Sequence, residues 1–177
     1  MDTKVLKGMD FSVAGIVRTE NSDYVVMVDE STSFYFPISS GSVNTNLIEM
    51  IFSGDFDFEL ENYGIYFSFL SMFKAHDMCP TQVSFIIKKD GGTTCSMDVS
   101  EENELGVKVS RIPLLLSDAV VLCSLGRIPI VIYGCAGTDF VFKIDKNVPK
   151  QNIFSFIGEE ISQSERMAAI DSENNQK

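Results

Sequence analysis

The chain of 177 residues contains no tryptophan, only one histidine and few basic residues: 14 Lys and Arg face 25 Asp and Glu, which gives a net charge of −11. Non-specific binding to nucleic acid depends on clustered Lys and Arg that displace counterions from phosphates. Lys88–Lys89 is the only adjacent basic pair. The charge therefore disfavours nucleic acid as a partner, and only a local basic strip would reverse that expectation.

The scarcity of histidine also bears on metal sites. The four cysteines include no Cys-x-x-Cys pair, so a zinc site with the usual ligand spacing is not expected. Cys123 and Cys135 lie in apolar segments, where cysteine serves as a small core residue. The N-terminal sequence MDTKVLKGMDFSV lacks the apolar core and cleavage site of a signal peptide. We therefore expect reduced cysteines and a cytoplasmic protein.

No uninterrupted hydrophobic run is long enough to span a membrane, which needs about 20 apolar residues. The most apolar stretch is RIPLLLSDAVVLCSLGRIPIVIYG, residues 111–134, and Ser-Asp, Gly-Arg and two prolines interrupt it. These interruptions predict the ends of elements. Ser117 is expected to cap a buried helix over 118–125 that Gly126 ends, and a β-branched strand follows over 128–133.

Most other apolar segments alternate with polar residues, as strands do. The predicted strands cover 11–18, 24–29, 33–38, 83–88, 93–99 and 107–112, and the predicted helices begin after Ser42, at Tyr66 and after Ser117. The acidic segment 100–106 is predicted to be a loop. A hairpin, a strand, a proline and a short helix thus occur twice, which suggests an internal duplication. We predict an α+β protein with a largely antiparallel sheet and short helices.

One domain with a tail accounts for the length of the chain. Residues 1–146 are predicted to form a single α+β domain. Residues 147–177 are predicted to form an amphipathic C-terminal helix and a disordered end. Phenylalanine is abundant. We expect these side chains to be buried either at a subunit interface of a homo-oligomer or in a larger core. The residues in question are Phe34, Phe36, Phe56, Phe58, Phe67, Phe69 and Phe73.

Three places offer side chains for hydrolytic chemistry. Asp55 and Asp57 alternate with phenylalanine in DFDFELE, so on a strand they would share one face about 7 Å apart and could supply part of a divalent-cation site. Asp118 would present a carboxylate at a helix start, and His76 beside Asp77 would form a base with its orienting acid. The alternative for Asp55 and Asp57 is an acidic face exposed to solvent. The alternative for Asp118 and His76 is a charge that stabilises a helix end.

Three segments, in this order, resemble the bifunctional nuclease domain family. Phe-Pro-Ile at 36–38, followed by Gly41, is similar to the family signature Leu-Pro-Ile-x-Ile-Gly. VSFIIKKDGGTTCSMDV at 83–99 is similar to its strand, Asp-Gly-Thr turn and returning strand. RIPLLLSDAVVLCSLGRIPIVI at 111–132 resembles its Arg-Pro-Ser-Asp-Ala-Ile-Ala-Leu-Ala helix and the Ala-Pro-Ile strand that follows, with Ser-Asp-Ala retained. The similarity spans residues 12–133.

The resemblance implies a single α+β domain with a curved, largely antiparallel sheet that forms oligomers. The plant members for which the family is named act on DNA and RNA. The family segment Arg-Pro-x-Thr-His-Asp-Leu should fall near residues 66–69, where Phe67 and Ser68 stand in place of its His and Asp. Val43-Asn44-Thr45 likewise replaces the Glu-Ala of its first helix. The resemblance thus implies a divergent member without the intact acidic constellation.

Two functions are consistent with these observations. The first is an oligomeric binding module with lost or weak catalysis, which the net charge and the replaced His-Asp pair favour. The second is a metal-dependent nuclease acting on DNA and RNA with Mg²⁺ or Mn²⁺. In the second, Asp118, Asp55, Asp57 and His76 are the candidate catalytic residues, and Asp55 and Asp57 are the candidate metal ligands.

Overall fold

A computed structural model describes residues 9–29, 31, 33–54, 64–88, 92–104, 106–134 and 141–174. Within them the strands are β1 Met9–Arg18, β2 Asp23–Asp29, β3 Phe34–Ser39, β4 Met78–Ile87, β5 Thr93–Asn103, β6 Gly106–Leu114, β7 Ile130–Gly134 and β8 Phe142–Lys143. The helices are α1 Thr45–Ser53, α2 Gly64–Ala75, α3 Leu116–Gly126 and α4 Ile153–Asn174. The apolar stretch at 111–134 is therefore the end of β6, a helix, a turn and a strand, as predicted.

The strands form one sheet in the order β6-β5-β4-β7-β1-β2-β3-β8. Every neighbouring pair is antiparallel except β4 and β7, which are parallel. The predicted α+β class with a largely antiparallel sheet is confirmed. Two meanders, β1-β2-β3 followed by α1 and β4-β5-β6 followed directly by α3, lie on opposite sides of β7. This arrangement has the connectivity that the predicted duplication would produce.

The sheet has one covered face and one partly covered face. Helices α1, α2 and α3 pack on the first face, where buried side chains such as Met27, Phe85 and Met97 form the main core. Phe34, Phe36, Phe69 and Phe73 belong to this core or pack against it, so a larger core accounts for these four phenylalanines.

Helix α4 packs on the second face, over the β1-β2-β3 meander only. Its Ile153, Ile157 and Ile161 contact a separate cluster that contains Val26 and Tyr35. Neither hydrophobic cluster includes the side chains that β4, β5 and β6 present on this second face. Among the described residues, no helix is long and apolar enough to cross a membrane.

The predicted helix caps at Ser42 and Ser117 are wrong. Asn44 caps α1, because its backbone is extended and its side chain accepts a hydrogen bond from the N–H of Leu47 at 3.2 Å. Helix α3 begins after Leu115, whose carbonyl accepts from the N–H of Ala119, and no side chain caps it. Its Ala-Val-Val-Leu-Cys run is buried, so tertiary packing fixes this start where a local capping signal was expected.

The end of α3 falls at Gly126, as predicted, although glycine serves there for a different reason. The left-handed residue is Arg127, with φ of 49°, and its N–H donates to the carbonyl of Cys123. A Cβ on Gly126 would lie 3.0 Å from Cγ1 of Ile128. Glycine therefore allows the close approach of the turn to the helix.

The acidic segment 100–106 is not a loop throughout, contrary to the prediction. Strand β5 continues to Asn103, and its register with β6 places Glu101 opposite Lys108 and Glu102 opposite Val107. Opposite charges in facing positions stabilise an antiparallel pair, which offsets the weak strand propensity of Glu and Asn.

The contact between β1 and α4 generates a testable prediction. Gly15 sits at a β-bulge with φ of 155°, and a Cβ there would lie 3.1 Å from the ring of Phe154. We expect Gly15→Ala to lower the free energy of unfolding by about 1–3 kcal/mol, because the ring of Phe154 would have to move. Urea unfolding measures the change.

Gly41→Ala is the matched control, since the nearest atom to its Cβ is 3.9 Å away. It should change the free energy of unfolding by less than about 0.5 kcal/mol. Equal effects of the two substitutions would contradict the packing of Phe154 on β1.

Candidate functional site

A cavity of about 330 Å³ lies between α2, the start of α3 and strand β6. Its described walls are largely apolar, and two of their side chains carry polar groups, the hydroxyl of Tyr66 and the carboxylate of Asp118. The described residues that line it are Ile65, Tyr66, Phe69, Ile112, Pro113, Leu114, Asp118 and Leu122. An apolar cavity with few convergent polar groups is typical of a small-ligand site.

Local periodicity places these side chains. Tyr66 and Phe69 are three residues apart on α2 and so lie on one side of that helix, as do Asp118 and Leu122, four apart on α3. Ile112 alternates with exposed residues along β6 and faces the helices, because its partner in the register is the buried Met97. Two helices and a strand from distant parts of the chain therefore meet at the cavity.

The polar centre of the cavity is a hydrogen bond in which the hydroxyl of Tyr66 donates to Oδ1 of Asp118 at 2.8 Å. Burial raises the pKa of Tyr66 to about 12, and the hydrogen bond to Asp118 and its negative charge contribute further. The phenol is thus protonated at neutral pH and acts as a donor, not as a general base. Asp118 lies in the first turn of α3, where the helix dipole favours a negative charge.

This arrangement suits binding better than two-metal hydrolysis. Metal-assisted phosphodiester cleavage requires several carboxylates around one or two cations. Asp118 is the sole acid among the described residues that line the cavity. In the described parts of the chain as a whole, no group of three or more His, Cys, Asp and Glu is arranged to hold a metal ion.

Of the other predicted site residues, only His76 is described, and it does not lie at the cavity. His76 follows the last residue of α2, is exposed, and its backbone N–H donates to carbonyls of the preceding turn. It lies ten residues beyond Tyr66, which corresponds to about 15 Å along a helix. Asp55 and Asp57 lie outside the described residues. Among the predicted site residues that the structure describes, Asp118 is therefore the one that lines the cavity.

Tyr66 is the site residue that the sequence did not reveal. The family resemblance directed attention to Phe67 and Ser68, whereas the neighbouring Tyr66 and Phe69 line the cavity. The available signal was a tyrosine on the same helical side as a partly buried phenylalanine, since a buried tyrosine hydroxyl usually has a partner. Nothing in the sequence indicated that its partner would be Asp118, 52 positions away.

Two larger clefts are less suitable as sites for an apolar ligand. One of about 830 Å³ runs between β1 and α4 and is lined by charged side chains that include Arg18, Glu159 and Arg166. The other, of about 650 Å³, lies near the end of α3 and is lined by a mixture that includes Asp10, Arg127 and Thr81. Neither has the apolar wall around a paired polar centre that distinguishes the Tyr66–Asp118 cavity.

No protein-family model and no curated protein sequence matches the chain.

The Tyr66–Asp118 pair generates a prediction about titration. In Asp118→Asn the pKa of Tyr66 should fall below 12 because the negative charge is lost, but it should stay above 10 because burial is the main cause of its rise. The contribution of the protonated phenol to stability is complete below pH 10 and is lost as the pH rises through about 12. Tyrosinate absorbance in the near ultraviolet, with Tyr66→Phe subtracted, measures this pKa.

Glu165→Gln is the control, because Glu165 accepts a hydrogen bond from Tyr24 and not from Tyr66. It should leave the titration of Tyr66 unchanged. A pKa for Tyr66 that does not respond to Asp118→Asn would contradict the pairing.

Proposed function

We propose that this protein is a divergent member of the bifunctional nuclease domain family that acts as an oligomeric binding module with lost or weak catalysis. The cavity between α2, α3 and β6 is its ligand-binding site. The observation that carries the proposal is that the described lining of this apolar cavity holds a single carboxylate, Asp118, whose Oδ1 is hydrogen-bonded to the phenol of Tyr66. Such a centre can orient a ligand but lacks the ligand set of a two-metal nuclease.

The chemistry of the cavity defines the class of ligand. Apolar walls such as Phe69, Ile112 and Leu122 suit an apolar body, and the carboxylate of Asp118 suits a hydrogen-bond donor or a cation. The net charge of −11 raises the local concentration of cations around the protein and lowers that of nucleic acid. We therefore assign the site to a small apolar molecule, or an apolar side chain of a protein partner, that carries an ammonium group.

The proposed location is the cytoplasm. The described cysteines Cys79, Cys95 and Cys123 are free thiols, as expected in a reducing compartment. Burial raises the pKa of Cys95 to about 12, so this thiol is protonated and unreactive at neutral pH.

A metal-dependent nuclease is the second candidate function. It is favoured by one observation: Asp118, in the Ser-Asp-Ala triplet shared with the family, faces a cavity instead of bulk solvent at the start of α3. Asp55 and Asp57 would have to supply further metal ligands in this case.

Binding of matched small molecules tests the proposal. We expect phenylpropylamine to bind more tightly than phenylpropanol, and phenylpropanoate to bind least, because only the amine complements Asp118. Asp118→Asn should weaken binding of the amine by about tenfold, the worth of a charge-assisted hydrogen bond, and leave the alcohol nearly unaffected. NMR titration measures both the affinities and the shifts of cavity residues.

The control for that titration is Glu102→Gln, which removes the same charge from an exposed position on β5. It should not alter the order of the three ligands. Equal affinity of the amine and the carboxylate, or shifts confined to residues away from the cavity, would contradict the assigned site.

Nuclease assays test the second candidate. We expect no cleavage of single-stranded DNA or RNA above background in Mg²⁺ or Mn²⁺, because Asp118, the one acid of the described cavity lining, cannot hold the catalytic cations by itself. Cleavage that is lost in Asp118→Asn or in the double variant Asp55→Asn, Asp57→Asn, but kept in Glu102→Gln, would instead establish the nuclease.

A further inference from the structure

Among the strands of the described ranges, β6 forms one edge of the sheet and is hydrogen-bonded to β5 alone. It is nine residues long, and all nine pair with β5, from Gly106 opposite Asn103 to Leu114 opposite Cys95. The other edge, β8, is a strand of two residues. A long edge strand presents a row of free N–H and C=O groups that can pair with another strand, and short edges avoid this.

Pro113 removes one backbone donor near the C-terminal end of β6, but the side chains between Val107 and Arg111 do not block the edge. Val107 and Val109 are 66% and 61% exposed, and they lie on the sheet face that neither hydrophobic cluster reaches. β-Branched residues of this kind are favoured in paired strands.

The two cations on the strand face acids of β5. Arg111 forms two hydrogen bonds with the carboxylate of Asp98, from Nε to Oδ1 at 2.7 Å and from Nη2 to Oδ2 at 2.9 Å. Lys108 stands directly opposite Glu101. Exposed edges are commonly protected by uncompensated charge, especially lysine. Here each cation has an acid beside it, so β6 carries no uncompensated positive charge that would repel a second strand.

We propose that β6 is a dimer interface, in which two copies of the chain pair their β6 strands antiparallel about a two-fold axis at Val109. This inference rests on the oligomeric part of the proposed function and identifies the surface that serves it. A second copy is the fitting occupant because it presents the same extended, valine-bearing edge with paired cations, as a two-fold interface requires.

The side chains of β6 favour one register for the pairing of the two β6 strands. With the axis at Val109, that valine faces its own copy, Lys108 faces Ser110, and Val107 faces the aliphatic part of Arg111. An axis at Lys108 would place the two lysines opposite each other, and like charges in facing positions are destabilising. An axis at Ser110 would place each Val109 opposite Arg111 and leave no contact between valines.

The dimer brings the two ligand cavities close together. β6 contributes Ile112, Pro113 and Leu114 to the cavity, and Ile112 is three residues from the axis, about 10 Å along the strand. One pair of strands buries less than the roughly 800 Å² per partner of a standard interface, so the association is expected to be reversible with a dissociation constant on the order of micromolar.

Sedimentation velocity of the full chain over a concentration series tests the interface. The unmodified protein should shift from monomer to dimer as concentration rises. Val109→Lys should raise the dissociation constant at least about tenfold, because two lysines would then face each other at the axis. Met167→Lys, a change at an equally exposed apolar residue of α4, should leave it unchanged.

Disulfide trapping tests the register, in a Cys79→Ser background that removes the exposed described thiol and sets the baseline. Val109→Cys should give cross-linked dimers, because facing residues have Cα atoms about 4.5–5.5 Å apart, within the range of a disulfide. Val107→Cys should not, because its two copies would be about 13 Å apart along the strands.

The outcomes separate the interface from the proposed function. If Val109→Lys leaves the dissociation constant of the dimer unchanged and Val109→Cys gives no cross-linked dimer, the interface is not at β6. That result would not contradict the proposal of an oligomeric module. Cross-linking through Val107→Cys instead overturns the register. A monomer at every concentration overturns the interface and the oligomeric part of the proposed function together, while ligand binding at the cavity is decided by its own titration.

Discussion

Burial of α3 is the constraint on which the other parts of the molecule depend. Its Ala119, Val120 and Val121 are almost fully buried, and the helix contacts both β5 and β1, one strand from each meander. It also contacts α1 and α2. Because one helix bridges both halves of the sheet and leads directly into the central strand β7, its position fixes the relative placement of the two meanders.

The candidate site lies where this buried helix reaches the edge of the core. The first turn of α3 is the only part of the helix that combines apolar neighbours with a carboxylate, Asp118, and α2 supplies the phenol of Tyr66 that pairs with it. The apolar side chains of the cavity flank the pair, and a lower local dielectric strengthens electrostatic interactions. The same packing that secures the fold thus places a carboxylate at a partly buried, largely apolar candidate site.

Uneven coverage of the sheet has a second consequence. Helix α4 covers the β1-β2-β3 meander on the second face, whereas β4, β5 and β6 carry polar and exposed side chains there, with Asp98 and Arg111 as their paired centre. As far as the described residues go, the half of the sheet that holds the cavity is therefore also the half with an uncovered face and an unpaired edge. Ligand binding and self-association would involve the same strand, β6, which offers a direct physical route for one to influence the other.

The sequence by itself determined most strands and helices, the α+β class and the helix-turn-strand nature of residues 111–134, because these depend on alternation and punctuation over a few neighbouring residues. Tertiary structure alone decided that Leu115 and not Ser117 precedes α3, that β7 lies between the meanders, and that Tyr66 meets Asp118. Each of these features depends on contacts between residues far apart in the chain. These contacts are stabilised by burial and by hydrogen bonds between elements. No local pattern encodes such energies, since many sequences with the same periodicities could bring different pairs together.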